Sequence, residues 1–71
     1  MKIIDVSDKY TYSLWHINGS KNIPYDELIN NYRLYLNKNE SYYLYCKSGK
    51  LSKRAVAILS SIGYKVFYLE K

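Results

Sequence analysis

With one cysteine, Cys46, the 71-residue chain cannot form an internal disulfide, and with one histidine, His16, and acids that stand apart it offers no metal-binding cluster. Proline occurs once, at Pro24, and glycine only at Gly19, Gly49 and Gly63. That scarcity leaves no flexible linker or low-complexity tract, so residues 1–71 read as one domain, near the lower size limit at which an apolar core suffices. No apolar run approaches the roughly 18 residues of a membrane-crossing helix. Even Ala55 to Leu59 is flanked by Arg54 and Ser60, so no membrane is expected as a partner. The amino terminus lacks the charged, apolar, small-residue order of a signal peptide, which together with the lone thiol makes a reducing cytoplasm the expected location.

Acidic residues are also few, six against eleven Lys and Arg, for a net charge of +5. Such a surplus raises nucleic acid as a partner, and ten tyrosines could stack on bases. The basic residues are scattered, however, and the one local concentration, Lys47, Lys50, Lys53 and Arg54, surrounds the cysteine. A small anion suits that arrangement better than a polymer, so no nucleic acid is expected.

Short apolar runs alternate with helical patterns along the chain. Lys2 to Val6 reads as a strand, and Ser7 or Asp8 can cap a short helix over Lys9 to Leu14. A polar turn at Asn18-Gly19-Ser20 leads to a weak strand at Lys21 to Ile23, which ends at Pro24. Leu28, Tyr32, Tyr35 and Leu36 share one face of a helix expected from about Tyr25 to Leu36, with Asp26 and Glu27 in its first turn. Tyr42 to Tyr45 and Lys65 to Leu69 have strand composition. Between them, Ser52 is a good N-cap for a helix carrying Ala55, Val56, Ile58, Leu59 and Ile62, which Gly63 stops. Such alternation predicts an α/β fold with parallel strands, in which ligands sit beyond the strands' carboxyl ends.

Cys46 stands at that position, after a strand and before a helix. Loop amides, the start of the helix and Lys47 and Lys50 are expected to favour its thiolate. Lowering a cysteine pKa of about 8.5 by about two units makes the thiolate the major form at pH 7. The plainer alternative is a small buried apolar residue. His16 reads as a hydrogen-bonded structural residue, and Asp5 as a residue that positions neighbouring turns.

Asp5-Val6, Tyr12, His16-Ile17, Gly19 and Asn22-Ile23-Pro24 follow the ungapped pattern that opens rhodanese-like domains, and Cys46-Lys47-Ser48-Gly49 with Ser52 resembles their active-site loop. Gly63-Tyr64 before an apolar strand is similar to the family's ending. The resemblance implies a small parallel-sheet, three-layer α/β domain abbreviated at both ends, with a homodimer as one way of covering an exposed sheet edge or face. It also implies a sulfurtransferase without a cofactor, in which Cys46 takes a sulfane sulfur from an anionic donor such as thiosulfate, or from a protein persulfide, and passes it to a thiophilic acceptor. Lys47, Ser48, Gly49, Lys50, Leu51 and Ser52 would then cradle the transferred sulfur, with Lys47 and Lys50 attracting the donor. Leu51 stands where thiosulfate-using members often carry a basic residue, which disfavours thiosulfate. A non-catalytic binding or anion-sensing module is the alternative. The related phosphatases use a loop one residue longer and closed by arginine; Ser52 at the corresponding place lacks the fork that grips a phosphate dianion.

Overall fold

The computed structural model describes residues 2–70. Strands β1 (Ile3–Asp5), β2 (Lys21–Asn22), β3 (Ser41–Tyr45) and β4 (Lys65–Tyr68) form one sheet in the order β2-β1-β3-β4. Every pairing is parallel, with Ile3 opposite Tyr43, Asp5 opposite Tyr45 and Tyr43 opposite Phe67. Helices α1 (Lys9–Leu14), α2 (Tyr25–Asn30), α3 (Tyr32–Tyr35) and α4 (Lys50–Ser61) make the connections. The α/β architecture expected from the alternation is therefore present.

Strand periodicity decides which side chains form the core. Ile4, Val6, Tyr42, Leu44, Cys46 and Val66 point to one face and pack with Leu28 of α2 and Ala55 and Leu59 of α4. Leu28, Leu44, Leu59 and Val6 are fully buried. On the opposite face Tyr43 meets Phe67, and Trp15 packs edge-on against Tyr45, while Phe67 remains 48% exposed.

Three local features depart from the sequence reading. The helix expected from Tyr25 to Leu36 is broken at Asn31, whose backbone leaves the helical region at φ −134° and ψ 34°. Asn31 turns its side-chain amide back to the carbonyl of Glu27, at 3.4 Å, and to its carboxylate, at 3.3 Å, the local competition that makes asparagine a poor helix interior residue. Tyr35 donates to the same Glu27 carboxylate at 2.7 Å, so the two short helices stay tied together. Helix α4 begins at Lys50, with Gly49 and not Ser52 as its cap residue. Ser52 lies inside the first turn and is fully buried. Finally, the strand ends shift: β1 is confined to Ile3–Asp5 and β2 to Lys21–Asn22, β3 begins one residue earlier than expected, at Ser41, and β4 ends one earlier, at Tyr68. At α1, Asp8 is the cap, accepting the Thr11 amide at 2.8 Å.

Candidate active site

β1 leads to one side of the sheet through β2, and β3 leads to the other through β4, so the carboxyl ends of β1 and β3 lie side by side where the order reverses. A crevice forms at such a switch point because the two connections diverge. The Val6 amide bonds the Tyr45 carbonyl at 2.9 Å, holding the two strand ends together immediately before Cys46. The β1 turn is fixed in turn by buried polar contacts. The Asp5 carboxylate accepts the Ser7 amide at 2.8 Å, and the Asn22 side chain donates to the carbonyls of Asp5, at 3.0 Å, and Ser7, at 2.8 Å. Asp5 thus positions neighbouring turns, as its place in the sequence suggested.

Residues 46–52 curl around the sulfur. The Gly49 amide closes a turn on the Cys46 carbonyl at 3.2 Å, and Gly49 adopts φ +82° before the chain enters α4. The first amides of a helix have no partner within it. Here Lys50 gives its amide to the Ser48 hydroxyl at 3.2 Å, and Ser52 gives its amide to Cys46 Sγ at 3.4 Å. The sulfur therefore serves as a capping acceptor for α4, which explains why a serine that looks like a cap lies within the helix. Cys46 Sγ also lies 3.5 Å from Ser52 Oγ, to which the thiol donates, while Ser52 Oγ donates to the Gly49 carbonyl at 3.2 Å. Ser48 Oγ is 4.0 Å from the sulfur.

Two opposing effects act on the thiol. Burial pushes its pKa up, whereas the Ser52 hydroxyl and the amides of Ser52, Leu51 and Gly49 stabilise the thiolate. The second effect wins, and the thiol lies below the ordinary cysteine value. The lysines expected to contribute are not the cause: Lys47 and Lys50 are exposed at the rim, and the lowering comes from hydrogen bonds. Among the other loop residues, Ser48 is exposed, Leu51 is half-buried and packs against the core, and Gly49 is buried.

Two tyrosines beside the loop were not singled out from sequence. Tyr68 covers Gly49 so closely that a Cβ there would lie 2.6 Å from the phenolic oxygen, and Lys53 Nζ stands 5.2 Å from the centre of the Tyr68 ring. Tyr45 buries its hydroxyl without a hydrogen-bond partner. Burial first, and then the nearby charges of Asp5, Cys46 and Tyr68, raise its pKa and keep it protonated. The register of β4 brings Tyr68 to this end of the sheet, and nothing local in its sequence signals that placement. His16 stacks on Tyr12 at 3.8 Å between ring centres, and its Nδ1 donates to the Tyr12 carbonyl at 2.8 Å, a structural role.

Comparison with known proteins agrees with this fold. A solved rhodanese-related protein from Thermoplasma volcanium superposes with a TM-score of 0.87 at 29% identity, over 97% of this chain and 68% of that one. A rhodanese-like domain protein from Staphylococcus aureus gives 0.81 at 32% identity, over 92% and 63%. The adenylyltransferase and sulfurtransferase uba4 of Ogataea parapolymorpha is 38% identical over 63 residues, which span 89% of this chain and only 16% of that protein. The family model described as Rhodanese-like domain matches residues 1–71, and by that full-length match the chain belongs to the rhodanese-like domain family.

Proposed function

We propose that the protein is a sulfurtransferase working by double displacement through a persulfide on Cys46. The observation that carries this reading is the convergence of the Ser52 amide and hydroxyl on Cys46 Sγ, with the amides of Leu51 and Gly49 adding to a net stabilisation of the thiolate. The sulfurtransferase in the name of the Ogataea relative supports the same class of chemistry.

In the first half-reaction the Cys46 thiolate attacks the outer sulfur of a sulfane donor. The new sulfur–sulfur bond forms as the donor's own sulfur–sulfur bond breaks, and the leaving group departs with the electron pair, as sulfite from thiosulfate or as a thiolate from a protein persulfide. The loop amides stabilise the negative charge carried by the outer sulfur, as preorganised donors do for an oxyanion. In the second half-reaction a nucleophilic acceptor attacks that outer sulfur, and the pair returns to Cys46 as thiolate. Lys47 and Lys50 stand at the exposed rim, where they attract an anionic donor, and Gly49 allows the turn. Leu51 supplies no charge, so a protein persulfide is the preferred donor over thiosulfate.

Incubation with a persulfide or thiosulfate donor, followed by intact mass measurement, should show one added sulfur on the wild-type chain and none on Cys46→Ser. Cyanide should remove it as thiocyanate. If wild-type protein takes up no sulfur from either donor class, the chain is a binding module of the same fold and the transfer reading is wrong.

A further inference from the structure

A cleft of about 800 Å³ opens at the end of the sheet opposite Cys46, between the beginnings of β1 and β2 and the segment that follows α3. Four basic residues from separate parts of the chain, Lys2, Lys21 and the pair Arg33 and Lys38, line it together with one acid, Glu40. Lys2 pairs with Glu40, the sole ion pair among the described residues. Lys21, Arg33 and Lys38 are exposed and have no carboxylate partner; Arg33 and Lys38 stand over the ring faces of Tyr32 and Tyr64, at 5.9 and 5.3 Å from the ring centres. Ile4, Ile23 and Leu36 form an apolar floor, and Leu34 on the rim is 79% exposed.

We infer that this cleft docks an acidic segment of a partner protein, one in which carboxylates alternate with apolar side chains. Unpaired, separated cations over an apolar floor match dispersed carboxylates with aliphatic residues between them. A compact phosphate is matched less well, because the floor at Ile4, Ile23 and Leu36 offers its oxygens no donor side chain. Nucleic acid finds a poor stacking platform, since Tyr42 is buried under Lys2, and the carboxylate of Glu40 in the lining repels its phosphates. A second copy of a chain with net charge +5 would bring like charge to the cleft. Tyr42, the β3 residue that lines the cleft, precedes Cys46 by four residues, about 13 Å of strand at about 3.3 Å per residue, so an occupied cleft leaves the thiol loop open.

The test is an amide NMR titration of the intact chain with a synthetic peptide of about ten residues that alternates Glu or Asp with Leu. Parallel titrations use inorganic phosphate and oligodeoxythymidine. The expected result is saturable shifts at Lys21, Arg33, Leu34, Leu36 and Lys38, with residues 46–52 undisturbed. Binding should weaken severalfold on going from about 0.02 to 0.2 M salt. It should weaken about tenfold in Arg33→Glu/Lys38→Glu protein whose thermal unfolding is unchanged. Shifts centred on residues 46–52, equal or tighter binding of phosphate or oligonucleotide at the cleft, self-association through it, or no saturable shift would each overturn the inference.

Discussion

The Ser52 hydroxyl has one proton and two neighbouring acceptors, the Gly49 carbonyl and, once Cys46 ionises, the sulfur. With a neutral thiol, Cys46 donates to Ser52 and Ser52 donates to Gly49; with a thiolate, the hydroxyl is drawn round to the sulfur. Ser52→Ala should therefore raise the thiol pKa, and the midpoint of an alkylation rate measured against pH should move upward, while the Ser52 amide keeps part of the stabilisation. The same coupling makes folding depend on pH. A thiol pKa lowered by folding adds stability that is complete above the unfolded thiol's value and lost as pH falls through the folded value. Denaturant midpoints of the wild type should thus rise relative to Cys46→Ala across that interval, and parallel curves would contradict the lowered pKa. Gly49 is constrained twice, by φ +82° and by the Tyr68 oxygen 2.6 Å from where a Cβ would stand. Gly49→Ala should destabilise the fold by about 1–3 kcal/mol. Tyr68→Phe in that background should recover the part due to the contact, leaving about 1 kcal/mol for the left-handed backbone, separable by a double-mutant cycle.

Helix α4 ties the site to the core: its first turn holds the sulfur, and Ala55 and Leu59 behind it are fully buried. Leu59→Ala should cost about 2–5 kcal/mol, a large share of the roughly 4–10 kcal/mol that a domain of this size commands. Urea unfolding would show it, with the thiol pKa returning to its ordinary value in step. The type and order of the elements were legible because the apolar spacing of Ala55, Leu59 and Ile62 is helical while Tyr42 to Tyr45 is a short aromatic and apolar run that stops at a turn. The cap was misread because Ser52 has the chemistry of an N-cap, whereas the real acceptor is a sulfur six residues earlier that only the closed loop brings near. The break at Asn31 was hidden because Leu28, Tyr32, Tyr35 and Leu36 keep helical spacing across it. Tyr68 over Gly49, like the four cations of the basic cleft, depends on strand register and lies beyond any local pattern.

At the scale of the whole molecule, eleven basic side chains, six acidic ones and one ion pair among the described residues leave a surface that repels itself. Added salt screens that repulsion, so unfolding midpoints should rise between about 0.01 and 0.15 M sodium chloride. A fall would mean that attractive pairs dominate. The edge contact of Trp15 with Tyr45, 6.2 Å between ring centres, also turns the chain into its own optical probe. Trp15 is the one indole in the sequence, is 56% exposed, and rests on the residue immediately preceding the thiol. Light absorbed by ten tyrosines drains toward that single emitter when the chain is compact, so its intensity and colour register the integrity of the fold beside the thiol loop without any attached dye.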